Sequence, residues 1–248
     1  MSTADVPSEP EVERVLVIVA HPDDVDFGSA GTIATWTAAG LDVTYCLVTS
    51  GDAGGSDLTQ SYEDRASLRE AEQTKAAAEV GVTKLVFLRF PDGRVEYNLD
   101  LRKALSRVIR QVKPHRVLTQ SSERNLDRVY ASHPDHVAVG AAAYAAVYPD
   151  ARNPFAHPEL LDDEGLEPWT VPEMWIQGGN EIPDAARVVV DITDVFDRKV
   201  AALRAHVSQT AHRTDLEQML REWTGGTAKL AGLPEGRLAE MYRRVDTR

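Results

Sequence analysis

Cysteine is almost absent: Cys46 is the only one in 248 residues. It lies inside the apolar run LDVTYCLVTS, so the chain has neither an internal disulfide nor a thiolate metal cluster to offer. Positive charge is also in short supply. Twenty-seven Lys and Arg against thirty-nine Asp and Glu leave a net charge of −12, which repels phosphate backbones and anionic lipid and favours solubility. No stretch approaches the ~20 consecutive apolar residues of a membrane-spanning helix, and the opening MSTADVPSEPEVE lacks the basic and apolar regions of a secretory signal. These absences lead us to expect a cytoplasmic protein with no nucleic-acid and no membrane partner. Several catalytic signatures are missing too. There is no Walker lysine motif and no G-x-S-x-G elbow, and Gly28-Ser29-Ala30-Gly31 is an interrupted glycine turn behind acids that would repel a pyrophosphate. Internal repeats and low-complexity arrays are lacking as well.

The chain does have enough apolar residues, 43%, to bury one substantial core. Residues 1–13, rich in Pro, Ser and Glu, read as a disordered leader before a single domain over 14–248. Arg14–Ala20 (RVLVIVA) is a nearly unbroken β-branched run, the pattern of a parallel strand covered on both faces. Val43–Thr49, Lys84–Leu88 and Arg116–Thr119 read as further strands. Helical stretches fall between them: Ser29–Gly40, Ser61–Val80 closed by Gly81, and a helix capped by Asn98 that ends at Val112 before Pro114. Ser132–Val147 reads as another helix. The alternation predicts an α/β fold, a Rossmann-like and mostly parallel sheet flanked by helices over 14–148. Residues 149–248 then read as an extension that shapes the substrate pocket. It opens with a Pro- and acid-rich surface excursion, followed by strands at Trp175–Ile176 and Ala186–Asp191. Thr193 is expected to cap a helix over Val195–His206, and helices are expected between Arg213 and Tyr242. Those apolar C-terminal helices leave room for a homo-oligomer.

In the common doubly wound order, the first and fourth strands are neighbours, and the loops after them face each other across a crevice. Those loops hold His21-Pro22-Asp23-Asp24 and Ser132-His133-Pro134-Asp135-His136, which account for three of the seven histidines. Imidazole and carboxylate are the usual non-thiolate ligands of zinc, and a catalytic site wants three protein ligands with a position left for water. His21, Asp24 and His136 supply that set. Asp23 is placed to take a proton from the water, His133 to act as electrophile or acid opposite it, and Asp135 to orient a ring. Each half alone has an ordinary reading: paired Asp before a helix answers the dipole, and Ser132-x-x-Asp135 resembles a weak capping box. Two such clusters at facing strand ends favour the metal. His115, His157, His206 and His212 lack that context and read as surface or packing residues. The loop Thr49–Gly55 reads equally as a simple turn or as a flap over substrate.

His21-Pro22-Asp23-Asp24 followed by Gly28 and Gly31, together with His133-Pro134-Asp135-His136, resembles the PIG-L/LmbE-like family of zinc-dependent N-deacetylases. The resemblance covers roughly Arg14 to Val147. It implies metal ligation by His21, Asp24 and His136, general-base catalysis by Asp23, oxyanion or leaving-group assistance by His133, and a histidine-orienting role for Asp135. Arg69-x-x-Glu72 looks like the family's Arg-x-x-Glu, which would turn Arg69 toward substrate. Many members follow the double Asp with Glu, whereas this chain has Val25 and then Asp26, and no role passes to Val25.

The expected activity is removal of an acetyl group from an N-acetylated amino sugar or glycosylated small metabolite, with Zn2+ as cofactor; Fe(II), Mn(II) or Co(II) suit the same donors. The alternatives are an amidase acting on mycothiol-type thiol conjugates and, further off, a metal- and sugar-binding module without turnover.

Overall fold

The computed structural model describes residues 12–55, 57–126, 129–178 and 182–248. Most of the expected leader, residues 1–11, lies outside them. Val12 already packs against the core, and the Glu13 carbonyl accepts the Asp42 N–H.

Among the described residues seven strands form one sheet in the order β3-β2-β1-β4-β5-β7-β6. In chain order the elements are β1 (Arg14–Val19), α1 (Asp24–Ala38), β2 (Asp42–Thr49), α2 (Tyr62–Glu79), β3 (Lys84–Phe90), α3 (Leu99–Val112), β4 (Arg116–Gln120), α4 (Pro134–Ala145) and α5 (Pro158–Asp162). They continue with β5 (Glu173–Gln177), β6 (Arg187–Asp191), α6 (Phe196–Ala205), α7 (Val207–Thr210), α8 (Leu216–Leu230) and β7 (Ala239–Asp246). The first five strands of the sheet order run parallel, and β7 enters antiparallel between β5 and β6. The alternation along β1 explains its unbroken apolar run. Val15, Val17 and Val19 face a core shared with α1, α2 and α6, while Leu16, Ile18 and Ala20 face a second core under α3 and α4.

Because β1 pairs on one side with β2 and on the other with β4, the sheet reverses its order there, and a crevice opens beyond the carboxyl ends of β1 and β4. Backbone bonds bind its walls together. Ala20 donates to the Gln120 side chain at the end of β4, and its carbonyl accepts the Thr49 N–H at the end of β2.

The structure corrects several expectations. The last stretch of the tail is strand: α8 stops at Leu230, and beyond the breaker Gly232-Leu233-Pro234-Glu235-Gly236 the chain returns as β7. Thr193 does not cap α6. Its hydroxyl donates to Asp191 and accepts the Leu238 N–H, tying the turn to the start of β7. At the start of α4 the side chain that accepts from the first turn is that of His133, while Ser132 bonds Asn125. The start of the surface excursion after Pro149 is anchored inward, since the fully buried Arg110 of α3 donates to the carbonyls of Asp150, Ala151 and Asn153.

The C-terminal elements also reach α1. A Cβ on Gly31 would lie 2.7 Å from the Ile192 side chain, so only glycine lets that segment come so close. Lys199 of α6 and Glu240 of β7 form a buried ion pair at 2.8 Å. The ammonium also donates to the carbonyls of Asp26 and Phe27, while the carboxylate accepts the N–H groups of Gly31 and Thr32. Cation and anion therefore grip two successive turns of α1 from outside.

Burial pushes the Cys46 thiol up to about 12 and the phenols of Tyr45 and Tyr242 well above their ordinary range. The folded chain holds these protons after the unfolded chain has released them, so stability falls as pH rises from about 8 toward 11. Urea midpoints measured across that span should decline, and a thiol reagent should label Cys46 only after unfolding.

Candidate functional site

Four strand ends build the crevice. After β1 the chain turns through His21 and Pro22 into Asp23, whose φ of 83° is left-handed, a conformation that costs a non-glycine residue about 1–3 kcal/mol and persists only where neighbours enforce it. Asp24 then starts α1, and its Oδ2 accepts the His21 N–H at 2.8 Å. On the opposite wall, α4 begins at Pro134 and carries Asp135 and His136 inward.

Three side chains meet where these walls face each other, Asp24 with both of its oxygens. His21 Nδ1 is 3.2 Å from Asp24 Oδ2 and 3.2 Å from His136 Nε2, and His136 Nε2 is 3.1 Å from Asp24 Oδ1. Donors about 2.1 Å from a tetrahedral ion lie about 3.4 Å from one another, so this triangle fits a divalent cation. The other side of the His21 ring is engaged as well. Its Nε2 lies 3.2 Å from Asp135 Oδ2 and 3.0 Å from Asp92 Oδ1, which favours a proton on Nε2 and a bare Nδ1 toward the triangle. Asp135, fully buried, is held in turn by the N–H groups of Gly93 and Val95. Two further groupings share His21, with His133 and His136 or with Asp92 and Asp135, their donors within 4.8 Å of one another. In the second grouping Asp92 and Asp135 lie 3.0 and 3.2 Å from Nε2, the ring nitrogen that does not face Asp24 and His136.

The electrostatics fit a cation. Burial alone would lower the His21 pKa, but Asp24, Asp135 and Asp92 outweigh it and raise it to about 12. Burial would raise Asp24, yet His136 and His21 hold its carboxyl well below the ordinary range. Without an ion, His21 therefore keeps a proton that balances the surrounding carboxylates. His133 is different: burial and the His21 charge push it down. Its Nδ1 accepts the Asp135 N–H at 3.2 Å, so the neutral ring carries its proton on Nε2.

Asp23, between His21 and Asp24 in sequence, is held by Arg69. Its Oδ2 accepts from Arg69 Nη2 at 3.0 Å, and burial raises its carboxyl to about 6 against the pull of that guanidinium. The same Nη2 donates to the Pro22 carbonyl at 2.7 Å, and Arg69 is 4% exposed. The glycine loop after β2 forms the seat of Arg69. A Cβ on Gly51, itself at φ 67°, would come within 2.4 Å of the guanidinium, and one on Gly54 within 2.5 Å.

Three groups near the site escaped the sequence reading. Asp92 sits in the Pro91-Asp92-Gly93 turn at the carboxyl end of β3, a place in the strand pattern that merited inspection. Gln73 accepts the Asp23 N–H at 2.8 Å, and its spacing of four from Arg69 puts both on one face of α2. His206 contacts Asp26 at 2.7 Å, a pairing across 180 residues that no local signal announces.

The family model for GlcNAc-PI de-N-acetylase, PIG-L, matches residues 16–147. The chain belongs to the PIG-L family. Diacetylchitobiose deacetylase of Thermococcus kodakarensis is 35% identical to this PIG-L chain over 200 residues, which are 80% of this chain and 71% of the relative. A probable N-acetyl-alpha-D-glucosaminyl L-malate deacetylase 2 of Bacillus subtilis is 33% identical, covering 85% of this chain and 86% of its own. Among solved structures, N,N'-diacetylchitobiose deacetylase from Pyrococcus horikoshii superposes with a TM-score of 0.83 at 28% identity, over 96% of this chain and 85% of that one. The α/β architecture is thus that of a PIG-L deacetylase. Among the described residues no helix is long and apolar enough to cross a membrane.

Ligand substitutions test the triangle directly. His136→Ala and Asp24→Asn should abolish stoichiometric metal in dialysed protein measured by elemental mass spectrometry. Asp135→Ala, which removes only the group behind His21, should weaken binding by about 10- to 100-fold.

Proposed function

We propose that the chain is a metal-dependent hydrolase that removes the acetyl group from an N-acetylglucosamine-containing small molecule, with zinc as its ion. The observation that carries this reading is the convergence of His21, Asp24 and His136 within 3.2 Å, with Asp23 beside them and His133 on the opposite wall. The relatives support the substrate class, since diacetylchitobiose and N-acetyl-α-D-glucosaminyl L-malate both present an acetamido sugar. Two imidazoles and a carboxylate suit zinc and leave a coordination position free. A cytoplasmic setting suits the single free thiol.

When bound, the ion supplies Lewis acidity toward the acetyl carbonyl and lowers the pKa of a water toward ~7. The side chains do the rest. Asp23 takes the proton of the attacking water as its oxygen adds to the carbonyl carbon. His133, with its proton on Nε2, donates to the oxyanion that forms. As the C–N bond breaks, the protonated Asp23 returns its proton to the departing nitrogen, and acetate and a free amine result. Asp135 holds the His21 ring in the orientation that faces the other donors. For Arg69, burial and the contact with Asp23 support orientation of the base more than contact with substrate.

Acetate release from N,N'-diacetylchitobiose and from N-acetylglucosaminyl malate tests the reading. Dialysis against a chelator should stop it, and added zinc should restore it. Release of an N-acetylated thiol from a mycothiol-type conjugate, with no acetate from the sugars, would instead establish the amidase. Asp23→Asn should lower kcat by about 10²- to 10⁴-fold with metal content intact, and His133→Ala by about 10²- to 10³-fold, judged by the usual effect of losing one oxyanion donor. Full activity in a folded Asp23→Asn protein would remove Asp23 from the role of base.

A further inference from the structure

Behind Asp23 lies a set of buried polar side chains drawn from three parts of the chain. Gln73 of α2 is fully buried, and its Oε1 accepts the Asp23 N–H at 2.8 Å. Its Nε2 donates to Asp26 Oδ2 at 2.9 Å. His206, fully buried in the bend between α6 and α7, places Nε2 2.7 Å from the same Asp26 oxygen. Asp26 is also fully buried and lies on the first turn of α1.

We propose that Gln73 is a positioning residue for Asp23, with Asp26 and His206 fixing Gln73 in turn; this rests on the reading of Asp23 as the general base. Asp23 and Asp24 are neighbours with opposed tasks, one facing a water and the other an ion. A regular helical start would not by itself aim the first of them. The left-handed turn at φ 83° does so, and it leaves the Asp23 N–H outside the helical ladder, in need of an acceptor. Gln73 supplies that acceptor in one orientation only. Turning its amide over would set N–H against N–H at Asp23 and oxygen against carboxylate at Asp26. His206 keeps the Asp26 carboxylate where it selects that orientation. Arg69 holds the carboxylate of Asp23 while Gln73 holds its backbone, so the base is fixed at both ends.

The test compares Gln73→Met with the native enzyme, both zinc-loaded, on a substrate from which the native enzyme releases acetate. Methionine keeps the length of the side chain and deletes the acceptor. The expected result is a kcat lower by about 10- to 100-fold, with KM and bound metal within about twofold of native, since a small misplacement of a catalytic group has effects of that size. In an Asp23→Asn background the same substitution should produce no further loss, because no base remains to be aimed. A merely structural role predicts a lower Tm with kcat per folded molecule unchanged. Native kcat in folded Gln73→Met overturns the inference, as does a loss of metal that accounts for the defect. Should Gln73→Met fail to fold, His206 decides. His206→Gln, which can still donate to Asp26 from a similar position, should keep most of the kcat that His206→Leu loses; equal rates in the two overturn the inference. A native chain that releases no acetate overturns the functional reading and this inference together, whereas an active native chain with an unimpaired Gln73→Met overturns the inference alone.

Discussion

Asp24 is the point at which the two halves of the crevice meet. One of its oxygens faces His21 and accepts that residue's backbone N–H, and the other faces His136. The carboxylate thus lies between side chains 115 positions apart in sequence, one on each side of the sheet's reversal. A carboxylate with only 12% of its side chain exposed is stabilised by nearby positive charge. In the chain alone that charge is the His21 proton, and a divalent cation in the triangle would take its place. The strand order makes this possible, because only adjacent β1 and β4 bring the two loops face to face.

The surroundings show how such a cluster is kept from collapsing or drifting. His21 is held on both sides of its ring, Asp135 is held by two backbone N–H groups, and Asp23 is clamped by Arg69. Each restraint comes from a different strand end or helix. The glycines at 51 and 54 belong to the same arrangement, since the guanidinium occupies the space that their side chains would fill. The polar groups of the site answer one another before any ligand arrives.

Much of this architecture is visible in the chain's letters. The unbroken β1 run, the helix caps at Ser61 and Asn98 and the spacing of strands and helices come from local preferences, and they survive folding because neighbouring elements reinforce them. The pairing of residues 21–24 with 133–136 could be read because both segments end or follow strands that the doubly wound order makes neighbours. β7 was hidden because half of AEMYRRVD is charged and it declares no period, and its strand character comes from filling the gap between β5 and β6. Gln73, Asp26 and His206 were hidden for a related reason. Each is an ordinary residue in its own window, and the bonds joining them exist only after α1, α2 and the segment after α6 have packed.

The Lys199–Glu240 grip has a consequence in time. The turn of α1 that leads out of Asp23 and Asp24 is held by Lys199, whose partner Glu240 grips the helix further along from β7, the strand that leaves the ribosome after every other described strand. Domains assemble as units once their parts are available. A nascent chain that already displays both histidine loops still lacks this brace, so the crevice waits for β7 before its α1 wall is held.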